Sequence, residues 1–377
     1  MTRTTCVRQK LQVAKRTIGG SASLTLDVLR LGAALTVLFA HAQDMWLPST
    51  IHDATHPGEA AHSAIVVFFV LSGFVIACTT STRRRGLGEF LQARWSRLWS
   101  MVIPALVLTA VAEFAVRAQG DPALMAEYVR GAFGPRYAVT ALFLNETWFF
   151  SAAPPANGAL WSLSFEFWYY MIFGLWFCTG RGWRSWLLAL VACLVAGPKI
   201  LLMMPIWLMG CAAFLLPRPA LRTPLLWAGV ALALGAAAVV AATVPPWPYP
   251  IGTPPFFFAN EFVTDTAAGL CVAVALWLLP SGRPTVPGGM TDRFRALADL
   301  TFPIYVLHFP LLILWHVCFG LNAEDHGQYR VALATVLVVA ALLGLVLERQ
   351  RPRWRRTFAR LFAAAGRRLP GPRPRAT

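Results

Sequence analysis

Ala61-His-Ser-Ala-Ile-Val-Val-Phe-Phe-Val-Leu-Ser72-Gly73-Phe-Val-Ile-Ala-Cys-Thr79 is the stretch that decides the fold class. It runs for nineteen residues without a lysine, arginine, aspartate or glutamate. About 20 mostly apolar residues are needed for a helix to cross a bilayer. Similar runs recur along the chain, near 24–42, 98–117, 158–178, 184–198, 200–216, 224–243, 256–279, 298–319 and 329–348. Together with 61–79 they predict an all-α, polytopic membrane bundle of about ten transmembrane helices. The runs at 184–198 and 200–216 are short and meet at Gly197-Pro198-Lys199, so a re-entrant pair is the alternative there. Residues 132–150 are apolar enough for an interfacial helix.

Composition agrees. Of 377 residues, 57% are hydrophobic and 13% charged, against roughly 25% charged in soluble domains. Too little charge remains to cover a water-facing surface. The net charge of +16 does not read as nucleic-acid binding, because the basic residues lie between apolar runs and on alternate loops. With the N-terminus placed in the cytoplasm, only Arg117, Arg130, Arg136, Lys199 and Arg330 fall outside, and Arg30 lies within the first helix. All other lysines and arginines fall inside, as the positive-inside rule demands, which predicts an even number of spans and both termini in the cytoplasm. No cleavable signal peptide is expected, since the first apolar run carries Asp27 and Arg30. The domain reading is a basic N-terminal segment at 1–23, a transmembrane domain at 24–348, and an Arg/Pro-rich tail at 349–377 expected to be disordered and held against anionic lipid. The outer loops 43–60, 118–157 and 244–255 are rich in Pro, Gly and aromatics and could cap a cavity. The seven cysteines form no CxxC pair, so they read as packing residues, with neither disulfide nor metal site expected.

Polar residues inside apolar helices are costly and usually face the bundle interior. In the first run, Arg30 and His41 are eleven residues apart, so they return to the same helical face about 16 Å apart along the axis. Asp27 lies on the same side. This is either a polar stripe crossing half the bilayer or a snorkelling arginine below an interfacial histidine. Ser162, Glu166 and Tyr170 recur at four-residue spacing and make one polar face. Arg94 and Arg97, three apart, form a fork; guanidinium groups bind phosphates bidentately, although lipid headgroups would suit them too. His308 sits about 15 Å into its helix, between Pro303 and Pro310. Glu261 and Asp265, at i and i+4, could bind a polyhydroxylated acceptor or pair with helix arginines.

Several of these segments, in order, resemble the membrane acyltransferase-3 family, the O-acyltransferases of bacterial surface glycans. They are Leu26-Asp27-Val-Leu-Arg30 with His41 ten residues beyond the arginine, Phe68-Phe69-Val-Leu-Ser72-Gly73-Phe74, Arg94-Trp-Ser-Arg97-Leu98, Leu160-Trp161-Ser162-Leu163-Ser164-Phe165-Glu166 and Ile304-Tyr305-Val-Leu-His308-Phe-Pro310. Two positions depart from the family's habit: Ser100 stands where proline is frequent, with the proline at Pro104, and Thr301-Phe302 replaces a frequent Ser-Tyr pair. The resemblance implies transfer of an acyl group, acetyl first among the candidates, from cytoplasmic acyl-CoA to a hydroxyl of a polysaccharide or glycolipid at the outer face of a bacterial inner membrane. It implies no permanently bound cofactor, acyl-CoA being a co-substrate. His41 matches the family's catalytic histidine, Arg30 the arginine paired with it, Arg94 and Arg97 the element on the acyl-CoA side, and Glu166 the acidic residue of its motif. Asp44 or Glu166 would orient His41. Ser162, Tyr170, Glu261, Asp265 and His308 are candidates for acceptor contacts. The expected partners are therefore the lipid bilayer, acyl-CoA and the acceptor glycan. A transporter or flippase is the rival reading, because intramembrane charge and broken helices serve transport as well.

Overall fold

The computed structural model describes residues 18–48, 57–82, 86–178, 182–282 and 290–368. Most of the basic N-terminal segment, part of the 43–60 loop and residues 369–377 lie outside the described residues. Among the described residues every regular element is helical: α1 Ser21–Trp46, α2 Pro57–Thr82, α3 Leu87–Gln119, α4 Pro122–Tyr128, α5 Phe133–Ala141, α6 Trp161–Phe177, α7 Trp183–Leu215, α8 Thr223–Thr243, α9 Phe262–Leu278, α10 Met290–Asp299, α11 Thr301–Phe319 and α12 His326–Arg368.

Seven of these helices, α1, α2, α3, α7, α8, α11 and α12, are long and apolar enough to cross a membrane by length and composition. The difference from the expected ten has a geometric origin. The runs at 184–198 and 200–216 fall together in α7, and α6 and α9 have 17 residues each, about 25 Å at 1.5 Å per residue. Within α7, Gly197 leaves the helix at φ 80° and ψ 175°, so the stretch is two helices end to end. A side chain there would be strained at this φ and would also meet Trp148, whose Cα would lie 2.6 Å from an added Cβ. Trp148 N–H donates to the Ala196 carbonyl at 3.1 Å, so the end of the first half keeps a partner for its backbone.

The chain forms two compact units. The first comprises Met1–Arg83, Pro198–Tyr305 and Phe319–Thr335. In it α1 lies against α2 and α10, α2 against α9, and α8 against α9. The tightest crossing joins α2 to the second half of α7. A Cβ on Gly73 would lie 2.0 Å from the Trp207 carbonyl oxygen, and one on Gly210 would lie 2.0 Å from the Val70 carbonyl oxygen. Trp207 Nε1 donates to Ser72 Oγ at 3.2 Å, and Cys211 Sγ to the Gly73 carbonyl at 3.2 Å. The Ser72-Gly73 motif is therefore a small-residue contact between two helix backbones, the usual way to gain helix packing where hydrophobic burial offers little. Leu225, Leu232 and Val239 of α8 are exposed, as expected of a face that meets lipid tails.

The second unit comprises Arg84–Gly197, Val306–Cys318 and Val336–Thr377. Here α3 lies against α4, α5 and α6. At 33 residues, α3 is about 50 Å long, well beyond the roughly 30 Å hydrocarbon thickness. The arginine fork is thus part of the same rigid helix as the span after it. α12 likewise continues to Arg368, so the disorder expected of the tail gives way to helix as far as that residue. The cause is a second apolar stripe. Trp354, Phe358 and Phe362 fall at four-residue spacing, and Phe358 and Phe362 meet the Trp95 ring at 5.8 and 5.1 Å between centroids. Gln92 Nε2 donates to the Arg355 carbonyl at 2.9 Å.

Candidate functional site

In the first unit the polar stripe of α1 keeps its register, because the helix is unbroken from Ser21 to Trp46. Arg30 Nη1 stands 3.7 Å from Asp27 Oδ1. One end of the stripe is thus an ion pair formed at i, i+3. At the other end His41 Nδ1 stands 3.7 Å from Asp44 Oδ2, with the two side chains 25% and 35% exposed. That separation is beyond hydrogen-bond length but within ion-pair attraction once the ring is protonated. The carboxylate faces Nδ1 of the ring. Of the two acids considered as orienting groups for His41, Asp44 lies beside it on the same helix, and Glu166 belongs to the second unit.

Glu166 is engaged within that unit. Tyr170 Oη donates to Glu166 Oε1 one turn away on α6, and the buried Tyr170 ring receives the Arg94 guanidinium at 5.8 Å. Arg94 also lies over the Phe90 ring at 5.8 Å. Arg94, Arg97 and Glu166 are all within electrostatic reach of Tyr170. The continued α12 brings one more charge, since Arg351 is within electrostatic reach of Arg94 and pairs with Glu348 at 3.4 Å. The aromatic contacts hold Arg94 in place while the positive field of Arg94, Arg97 and Arg351 adds up. Such a group suits polyanionic phosphate. Sequence reading finds the fork but misses Arg351, which it places in the disordered tail.

Other polar residues of the second unit build its frame. Ser164 Oγ and Trp168 Nε1, one turn apart, both donate to the Phe143 carbonyl, at 2.7 and 3.0 Å. Phe143 sits at φ 57°, and this double hydrogen bond holds it there. Pro310 has no N–H to give to the Val306 carbonyl one turn back. Asn157 Nδ2 donates to that carbonyl instead at 3.0 Å, and to Thr109 Oγ1 at 3.1 Å. Asn157 thereby meets the carbonyl that Pro310 leaves without its helical donor. His308 and Ser162 are buried in the second unit.

Glu261 and Asp265 are brought together with a residue that sequence reading passed over. His62 Nε2, on α2, lies 2.8 Å from Asp265 Oδ2 on α9. His62, Glu261 and Asp265 each offer one ligating atom within 4.8 Å of the others, and all three are buried. The available signal was the carboxylate pair at i, i+4; nothing local pointed to a partner on α2. Asp265 is therefore paired with a histidine rather than with a helix arginine.

A family model described as an acyltransferase domain matches residues 24–349. Comparison with curated proteins and with solved structures gave no match. The matched span holds both ends of the α1 stripe, the α3 fork, the Glu166 helix and the His62 cluster. The chain is a multi-pass, all-helical member of the acyltransferase-3 family.

Proposed function

We propose that this protein is a membrane O-acyltransferase that takes an acyl group, acetyl first among the candidates, from acyl-CoA and places it on a hydroxyl of a surface polysaccharide or glycolipid. The acyl-CoA is drawn from the cytoplasm and the acceptor is met at the outer face of a bacterial inner membrane. The topology that goes with this reading has ten crossings and both termini inside. It counts α1, α2, α3, α6, the two halves of α7, α8, α9, α11 and α12.

One observation carries the reading: a histidine and a carboxylate, His41 and Asp44, stand 3.7 Å apart on one unbroken helix inside the span matched by the acyltransferase family. A sugar hydroxyl is a poor nucleophile at neutral pH. His41 Nε2 takes its proton as the oxygen attacks the thioester carbonyl. The carbon–sulfur bond then breaks, and the CoA thiolate leaves with the proton returned by His41. Asp44 favours the imidazolium formed in between. General-base help of this kind is worth typically about 10²–10⁴-fold. Arg94, Arg97 and Arg351 hold the CoA phosphates as charge-assisted contacts. Arg30, about 16 Å from His41 along the axis, serves the CoA side better than the reacting carbonyl. Glu166 and Tyr170 position Arg94. Acceptor contacts fall to Ser162 and His308 on this reading.

Transport is supported less well. The break at Pro310 is closed by Asn157, whereas a broken helix that lines a permeation path leaves its backbone groups for the substrate.

The test is acyl-CoA binding by purified protein in nanodiscs, followed by transfer of labelled acetyl to glycan extracted from the host. Binding that falls at least ~100-fold in Arg94→Ala/Arg97→Ala is expected, since each charge-assisted contact contributes about 1.5–3 kcal/mol. Acyl-CoA binding unaffected by both changes, with no transfer in wild type, would reject the assignment.

A further inference from the structure

We propose that His62, Glu261 and Asp265 form a binding site for one divalent transition-metal ion, with Zn²⁺ as the best fit. The three groups come from two helices that pack together within the first unit: His62 from α2, Glu261 from the N-cap of α9 and Asp265 from its first turn. Their exposures are 4%, 5% and 3%, so all three are shielded from water.

The donor set and spacing match an ion of this class. Zn–N and Zn–O bonds of about 2.0–2.2 Å in tetrahedral geometry put neighbouring ligand atoms on one ion roughly 3.3–3.6 Å apart. Here His62 Nε2 and Asp265 Oδ2 are at 2.8 Å, and no pair of the three ligating atoms exceeds 4.8 Å. Side-chain shifts of about 1 Å would close the set around an ion. One imidazole with two carboxylates suits Zn²⁺ or Mn²⁺; the imidazole disfavours Mg²⁺ and Ca²⁺, which take oxygen. Charge argues in the same direction. Two carboxylates in a low-dielectric interior are expensive, and a doubly charged cation bound to both cancels their charge.

The surroundings hold the ligands in place. Glu261 Oε1 accepts from Ile251 N–H at 3.3 Å. The neighbouring Asn260 donates to the Pro250 and Thr253 carbonyls at 2.8 and 2.7 Å. The loop before α9 is thus folded back on the helix that presents both carboxylates. A bound ion would join α2 to α9 and fix that loop. The role is independent of His41 chemistry.

The experiment measures the metal content of full-length protein purified with a histidine-free tag, by mass spectrometry of the digested sample. It then follows the melting temperature after chelation and after adding back Zn²⁺ alone. About one Zn²⁺ per chain is expected in wild type, with a melting temperature that drops on chelation and returns with Zn²⁺. His62→Ala and Asp265→Asn are expected to lose the ion. Should either fail to fold, Glu261→Gln, which keeps an acceptor for Ile251 N–H, gives the same readout. The proposal is overturned by metal-free wild type that ignores Zn²⁺, or by Zn²⁺ retained in folded variants. Acyl transfer without metal would leave the acyltransferase reading intact, so the two assignments fail separately.

Discussion

Two histidines of the first unit each face an aspartate, and the pairs differ in nearly every physical respect. His41 and Asp44 are three residues apart on one helix, 3.7 Å from each other and a quarter to a third exposed. His62 and Asp265 are 203 residues apart, on two helices, 2.8 Å from each other and almost wholly buried. The first pair is loose, reachable and set by local helix geometry. The second is tight, closed off and exists only once α2 and α9 have packed. A proton-transfer group has to meet substrate, and a clamp has to exclude water. On the proposed reading the same two residue types therefore serve a catalytic role in one place and a structural role in the other.

Substitutions can break this contrast. The largest effect is expected for His41→Ala, with a turnover rate reduced about 10²–10⁴-fold and a melting temperature close to wild type, as measured by labelled acyl transfer and thermal unfolding. Equal losses of rate and stability would erase the distinction. Next comes His62→Ala. Its loss leaves the buried Asp265 carboxylate without its partner, so thermal or denaturant unfolding should move strongly while the folded fraction keeps its acyl-CoA affinity. Asp44→Asn is smaller: a turnover loss of about 10-fold, roughly 1.4 kcal/mol, with acyl-CoA affinity unchanged. Smallest is Arg351→Ala, which takes one charge from a three-arginine group. An increase of roughly 3-fold to 10-fold in the KM for acyl-CoA is expected, in line with an exposed charge contact, and no change in turnover.

The contrast also marks how far the residues alone could be read. Every pairing that follows from helical spacing was legible: Asp27 with Arg30, Arg94 beside Arg97, Glu166 with Tyr170, Glu261 with Asp265. Those positions share a face whatever the helix packs against. The break at Gly197 was legible for a similar reason, since the residues Gly-Pro punctuate the backbone directly. His62 was not, because its partner lies across a helix crossing that no local pattern encodes. Asn157 escaped notice as well, because the Val306 carbonyl to which it donates lies 149 residues further along the chain. The length of α12 was misread for a different reason. The Trp354, Phe358 and Phe362 stripe stands in the sequence, but Pro352 and a run of arginines outweigh it until Trp95 is there to receive it.

The central claim is that His41 moves the proton during acyl transfer. Its most direct test is single-turnover transfer of labelled acetyl from acetyl-CoA by purified His41→Gln, a change that keeps a hydrogen-bonding side chain but cannot accept the proton. The account predicts undiminished acetyl-CoA binding with transfer slowed at least ~100-fold. Transfer at the wild-type rate would contradict it.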